Sequence, residues 1–504
     1  MVAEGTPRVD KRTSRVRWAR PRKSEHVRGA LLAAALLLWT GRGAAEEPGP
    51  ARLIRGPYLQ GLLDTSVEVR WFTDVPSPGA VLYSAEDEEP QEVAGALPVT
   101  SHRIRLEGLR PGTRYSYQIR DGREPLASDL SFRTAPDDPN ASVRVVVTGD
   151  SGSGREPQYK MASVIRELSP DLFLIAGDLV YTGSADISIF DPYKEILPRC
   201  GFYPVPGNHD LFIPWKDLFT PPCENPQGTG TYYSFNWGNA HFVGLDSNWS
   251  IAADSPQTLW LVSDLEAARL AGVQWTILYF HSPPYTVGMY SWSHLQSRFV
   301  IPPLADRFQV DLVIAAHDHN YQRTYPLRGD LVRDGWQDPR FVFPRGTVYL
   351  VTGGGGGTLY PVGYGEDLPL MRTYERAFHI VEVEIAGATL SVQAIDANMS
   401  VIDSFTIVKE GARPELRFLR GDTDLDGELG LSDVIRTLSH LFLGGSLVCP
   451  AAAEMIGGGS TVTIADPVYL LNFLFLGGPA PAPPFPGCGS DPQADDAGCV
   501  QSGC

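Results

Sequence analysis

The hydrophobic rhythm of the chain changes three times. Residues 52–135 alternate apolar and polar positions: Ser66-Val67-Glu68-Val69-Arg70-Trp71, then His102-Arg103-Ile104-Arg105-Leu106. After a Pro111-Gly112 turn the alternation resumes as Tyr115-Ser116-Tyr117-Gln118-Ile119. Period two predicts half-buried strands, and short strands at this spacing predict a small β-sandwich. Pro136-Asp137-Asp138-Pro139-Asn140 reads as a linker. From residue 143 apolar runs recur, each ending in a polar cluster. Val143–Val147 precedes Gly149-Asp150, Leu172–Ala176 precedes Gly177-Asp178, and Phe202–Val205 precedes Gly207-Asn208-His209-Asp210. Phe242–Leu245 precedes Asp246, Trp275–Phe280 precedes His281, and Leu312–Ala316 precedes His317-Asp318-His319. Between the first two runs Met161, Val164, Ile165 and Leu168 fall at helical spacing, and Ser255-Pro256 predicts the cap and first turn of a second helix. Strands alternating with helices predict an α/β layered domain over residues 141–409, closed by late strands near Ile380–Ile385, Thr389–Ile395 and Ser404–Val408. Residues 414–504 form a third region, in which Leu431–Gly445 repeats as Ile464–Gly478 at an offset of 33 residues. Repeats this short pack on each other, so Val434–Leu443 and Val468–Leu476 are expected to pair as helices. The expected fold class is therefore multidomain: an all-β sandwich, an α/β layered domain and a small helical module.

The polar clusters are the informative part. Each stands at the carboxyl end of a strand, where α/β sheets place ligand sites, so six clusters brought to one edge make one site. Carboxylate oxygen and imidazole nitrogen suit hard and borderline cations. A two-metal hydrolytic site also needs one carboxylate able to bridge ions ~3.5–4 Å apart. Asp150, Asp178, Asn208, His281, His317 and His319 supply that donor set. Taken singly, a Gly-Asp pair is a turn and a lone histidine is a structural residue. Their order and shared placement make the metal reading.

These blocks resemble the calcineurin-like metallophosphoesterases: Asp150-Ser151-Gly152, Asp178-Leu179-Val180-Tyr181, Asn208-His209-Asp210, His281 and His317-Asp318-His319. Within that family Tyr181 points to the purple acid phosphatases. The segment Gly108–Tyr117 resembles fibronectin type III modules, and a sandwich before the catalytic domain is the plant-type arrangement. One departure is Ala316, where the family usually has glycine. The resemblance implies a first metal, Fe(III), held by Asp150, Asp178, Tyr181 and His319. It implies a second, Fe, Zn or Mn(II), held by Asp178, Asn208, His281 and His317. The implied reaction is hydrolysis of a phosphate monoester by a metal-activated hydroxide. Asn208 and His209 would contact the phosphoryl group, with His209 and His294 as catalytic residues and His294 the acid for the leaving group. Tyr321 and Arg323 are expected to line the pocket. A phosphodiesterase or pyrophosphatase on the same site is the alternative, and an inactive surface scaffold a more distant one. The run Gly353–Gly357 lacks the Gly-Lys-Ser/Thr ending of a nucleotide loop, and is expected to let backbone pass close beside the metals.

Charge and the chain ends add the setting. A basic stretch ending at Arg28, an apolar run Ala30–Trp39 and small residues Gly43-Ala44-Ala45 read as a signal peptide over 1–45. The apolar run is short for a membrane span, which takes ~20 residues. The expected setting is secreted, periplasmic or cell-surface, with no transmembrane segment in the mature chain. The net charge is -17, and losing ten Lys/Arg and three Asp/Glu with residues 1–45 takes it to -24. Such a chain lacks the basic footprint of a nucleic-acid partner. Six cysteines in an exported chain allow 15 pairings, and Cys200–Cys223, Cys449–Cys488 and Cys499–Cys504 are the pairs expected. In the last region Asp422, Asp424, Asp426, Glu428 and Asp433, with Gly427 at the sixth position, form a calcium-loop pattern. This resembles a dockerin-type repeat, implying one Ca²⁺ and a protein partner. The second copy has Met455, Gly457 and Gly459 in place of the aspartates and keeps only Asp466.

Overall fold

The computed structural model describes residues 50–499 except 123, 182, 291–294, 413–415, 446, 456–460 and 491–498. The expected signal peptide lies outside the described residues, as do His294, Gly457, Gly459 and Cys504. Among the described residues no helix is long and apolar enough to cross a membrane.

Alternation along the N-terminal strands becomes two facing sheets. Tyr115, Tyr117 and Ile119 of Arg114–Arg120 are buried while the residues between them are exposed or half-buried. That strand belongs to a four-stranded sheet with Ala80–Ala85, Gln91–Ala94 and Pro125–Arg133. The opposing strands Leu53–Gln60, Ser66–Ser77 and Val99–Glu107 are antiparallel neighbours. They do not stop at the sandwich: Leu59 pairs in parallel with Gly201, so this face runs on into a ten-stranded sheet of the next region.

The continuous apolar runs become parallel strands, but in two sheets. Val143–Thr148, Leu172–Ala176 and Gly201–Val205 pair in parallel in the first. Ala240–Gly244, Trp275–Tyr279, Leu312–Ala315 and Val348–Thr352 pair in parallel in the second. The sheets face each other across one core that contains Val145, Val147 and Leu174 from the first and Phe242, Ile277, Ile314 and Leu350 from the second. The outer face of the first is covered by the helix Glu156–Leu168, which buries Met161, Val164 and Ile165. The outer face of the second is covered by Pro256–Ala271 and Leu295–Phe308. The Ser255 hydroxyl caps the former by accepting from the Thr258 N–H, and a proline starts its first turn. His379–Ala386, Thr389–Asp396 and Val401–Val408 complete the first sheet as antiparallel strands beside Val143–Thr148. The result is four layers, helix–sheet–sheet–helix, with the central parallel strands largely buried on both faces.

In the last region the helices Leu431–Leu443 and Ala465–Leu476 pack through Val434, Met455 and Leu470. Leu431, Ile435, Phe442 and Leu443 are exposed, and so are Ile464, Val468, Phe475 and Leu476, each 33 residues on. The disulfide expectations need correction. Cys449 pairs with Cys499, not Cys488, tying the short helix Pro450–Ala453 to the tail through a shared apolar cluster. Cys200 and Cys223 are free, because Cys200 lies buried under the first sheet while Cys223 sits on an exposed loop.

Candidate metal centre

The seven predicted ligands arise from strand ends of both sheets. Asp150, Asp178 and Asn208 follow strands of the first, and His281 and His317 follow strands of the second by two residues. Asp150, Asp178 and His317 adopt left-handed backbone, with φ of 55°, 54° and 70°. A side chain pays roughly 1–2 kcal/mol for that conformation, and such strain collects at functional sites. Here it turns each side chain sharply off its strand into the seam between the sheets.

Two groups of contacts result. On one side the Tyr181 hydroxyl donates to Asp150 Oδ1 at 2.8 Å and lies 2.8 Å from His319 Nε2. On the other, His281 Nε2 lies 3.0 Å from Asn208 Oδ1 and 3.0 Å from His317 Nδ1. Asp178 belongs to both. It is 3.4 Å from His281 Nε2, and its carboxylate, that of Asp150 and His319 bring ligand atoms within 4.8 Å of one another. The imidazoles are oriented from behind. His281 Nδ1 is 2.9 Å from the Ala176 carbonyl and His319 Nδ1 is 2.7 Å from the Thr358 carbonyl. A carbonyl only accepts, so each Nδ1 carries the proton and each Nε2 turns a lone pair to the cluster.

The electrostatics of the group are unbalanced. Burial raises the Asp178 carboxyl above its usual range, opposed by His281, while the Asp150 charge adds to the rise. Burial acts on Asp150 likewise, but His319 and His281 hold it below the usual value. For His281 and His319 burial disfavours the charged ring, yet the two aspartates pull their pKa values up. Burial and the charges of Asp150 and Asp178 push the Tyr181 phenol well above its ordinary value. Two buried carboxylates are thus balanced only by protonating imidazoles, and a phenolate is out of reach without added positive charge. Cations shared among these atoms satisfy the acids, free the imidazole lone pairs and lower the phenol. The donor set fits a pair of ions.

Neighbouring residues hold the ligand loops. Asp210, buried and raised by burial to about 7, accepts N–H bonds from Gly207, Leu179 and Val180, so one carboxylate pins two ligand loops together. A side chain at Gly149 would come within 2.2 Å of Ala316 Cβ; glycine there is what makes room for Ala316. The glycine run passes against the centre, the Gly357 N–H bonding the Asp150 carbonyl at 2.8 Å.

Other predicted residues are placed differently. His209 stands at the mouth, half exposed, with Nε2 4.0 Å from Asp178 Oδ2 and its ring 4.8 Å from that of Tyr181. Tyr321 and Arg323 are not pocket residues. The Tyr321 hydroxyl donates to Asp403, and the buried Arg323 guanidinium binds Asp403 at 2.6 and 3.0 Å and Asp338 at 2.7 Å. Both side chains are spent on structure. Two aromatic residues of the site escaped sequence reasoning. Tyr360 stacks on His319 at 4.0 Å, and Tyr290 lies 4.3 Å from His317 and 5.8 Å from Tyr360. Their loops follow the His281 strand and the glycine run, which was the available signal. In the last region Asp422, Asp424 and Asp426 approach one another within 4.8 Å. Glu428 is exposed beside them. Asp433 lies beside the same loop, and its oxygens accept the N–H groups of Thr423, Asp424 and Gly430 and hold the loop on the helix that follows. Asp466 does the same in the second copy, accepting from Met455 and Thr463.

Residues 143–321 match the family model of calcineurin-like phosphoesterases, and residues 58–134 match that of the purple acid phosphatase N-terminal domain. The chain is 24% identical to acid phosphatase type 7 of Homo sapiens over 368 residues, 64% of this chain and 81% of that one. It is 26% identical to purple acid phosphatase 21 of Arabidopsis thaliana over 271 residues, 51% of this chain and 58% of that one. The structure of a purple acid phosphatase from yellow lupin seeds superposes with a TM-score of 0.62 at 18% identity, covering 71% of this chain and 74% of that chain. By fold, site and matches, this is a metal-dependent phosphoesterase, and its residues 143–321 resemble the calcineurin-like phosphoesterases. Its N-terminal domain and its relatives make it, more narrowly, purple acid phosphatase-like.

Proposed function

We propose that this chain is a secreted acid phosphatase that hydrolyses phosphate monoesters at a two-metal centre, Fe(III) beside Fe, Zn or Mn(II). The observation supporting it is the division of the seven ligands into two groups that share Asp178. Asp150, Tyr181 and His319 would hold one ion, Asn208, His281 and His317 the other, and Asp178 both. Bound there, the ions supply an activated water and neutralise charge at phosphorus. The chain's own residues do the rest. The second nitrogen of each oriented histidine keeps the donor geometry fixed, so little reorganisation accompanies reaction. His209 hydrogen-bonds a phosphoryl oxygen from the mouth, next to Asn208. Tyr290 and Tyr360 wall the opposite side and limit water access. The bond from phosphorus to the alcohol breaks as that to water oxygen forms, and the alcohol leaves with a proton assigned to His294. The full chain is expected to bind two metal ions and cleave a phosphate monoester faster than a diester. A purple charge-transfer band should disappear in Tyr181→Phe. Absence of bound metal, or a diester cleaved faster, overturns this reading.

The aspartates of the last region are proposed to take one Ca²⁺, and the exposed apolar residues repeated at 33-residue spacing to meet a protein partner. Calorimetric titration with Ca²⁺, comparing the chain with Asp422→Ala, tests the first. A heat signal that the substitution leaves unchanged sinks it.

A further inference from the structure

Six large apolar residues are exposed on segments that carry or brace the candidate metal ligands. Phe212 is 95% exposed, and Leu211, Trp249, Ile187, Met289 and Tyr364 are also open to solvent. Exposed hydrophobic residues scattered singly are ordinary, but a contiguous patch marks a binding surface. These six come from five separate segments, four loops and the helical turn Asp186–Phe190, and each segment is joined to the centre. Leu211 and Phe212 follow the Asn208-His209 pair directly. Trp249 adjoins Asn248, whose side-chain amide donates to the Gly207 carbonyl at 2.9 Å. Ile187 lies against Gly154 on the loop that begins with Asp150. Met289 precedes Tyr290, which packs on His317. The Tyr364 N–H donates to the Val287 carbonyl at 3.1 Å, tying its loop to that of Met289.

A substrate whose phosphate reaches Asp178 must lay its leaving group across this rim. The rim offers hydrocarbon and aromatic surface, and the chain as a whole is acidic, with net charge -17. A highly charged leaving group gains nothing there, whereas an apolar one removes hydrocarbon from water at both partners. We infer that the preferred substrates are phosphate monoesters with an apolar alkyl or aryl leaving group, taken up as single molecules. This deepens the proposed phosphatase reading and rests on it.

The test uses the full metal-loaded chain and a series of n-alkyl phosphates from ethyl to hexyl, below their aggregation limits. Their alcohols have nearly constant acidity, so chain length changes binding and leaves the bond-breaking step alone. Half-burial of each methylene predicts kcat/KM rising about two-fold per carbon, chiefly through KM. The double substitution Phe212→Ser, Trp249→Ser should flatten that slope. Leu97→Ser, an exposed apolar position of the N-terminal sandwich, should leave it intact. A flat slope in the wild-type chain with ready cleavage of ethyl phosphate overturns this inference and spares the phosphatase reading. No cleavage of any member overturns the reading beneath it. A gain seen only with substrate carried in lipid vesicles overturns uptake as single molecules.

Discussion

His319 and Arg323 are four residues apart, and each anchors a cluster of buried charge. Around Arg323 the account closes: its guanidinium meets Asp403 and Asp338, Arg372 meets the other oxygen of Asp338, and the Tyr321 hydroxyl joins in. Burial works against the guanidinium charge, but the hydrogen bonds and charge of Asp403 more than restore it. Around His319 the account stays open, with two carboxylates and a phenol met, among the described residues, by imidazoles and by no Lys or Arg. Aspartates and a tyrosine make a strut in one place, around arginine, and a ligand site in the other, around histidines. What separates them is whether partners are complete.

The difference is open to direct attack. Asp178→Ala is expected to lower kcat on the order of 10³-fold or more and to abolish metal binding. In metal-free protein the same substitution removes a strained acid, so its melting temperature should hold or rise; a fall of several degrees breaks the contrast. Arg323→Met should cost about 3–5 kcal/mol in denaturant unfolding by taking the cation from Asp403, while Asp338 keeps Arg372, with kcat of the folded fraction little changed. Loss of activity without loss of stability would return Arg323 to the pocket.

His379 is a third kind of buried charge, with neither carboxylate nor cation beside it. It bonds Thr352 and the Ala377 carbonyl and packs on Tyr321, and burial lowers its pKa to about 4. Unfolded, it titrates near 6.5, so between those values the unfolded state binds the extra proton. Stability contributed by neutral His379 is therefore present above about pH 6.5 and lost as pH falls towards 4, by about 3 kcal/mol. His379→Gln should flatten that part of the stability profile measured by urea unfolding. The smallest effect is expected at the C-terminal aspartates, where backbone N–H groups already satisfy part of the charge. Removing Ca²⁺ with a chelator should lower the melting of that module by a few degrees and leave phosphate ester turnover unchanged.

Much of this was legible in the sequence, and the failures have physical causes. Apolar runs ending in Asp, Asn or His located the ligands, because strand ends project their loops to one side. That two sheets share the site was not legible, since a parallel strand reads alike in either. Tyr321 and Arg323 come just after His319, which is why they are expected at the pocket. The strand Tyr321–Thr324 begins after His319, however, and its side chains bond Asp403 and Asp338. Asp433 sits at the twelfth loop position and also accepts backbone N–H groups, a bracing role no spacing reveals. Cysteine pairing likewise depends on which loops the fold brings together.

The duplicated segment of the last region holds its own control experiment. One copy carries three clustered aspartates and the other has lost its counterparts, yet Asp433 and Asp466 grip their loops in the same way. Both copies keep the carboxylate that ties loop to helix, and only one keeps the acidic cluster. The turn therefore holds its shape independently of what its other positions carry, which leaves those positions free to change.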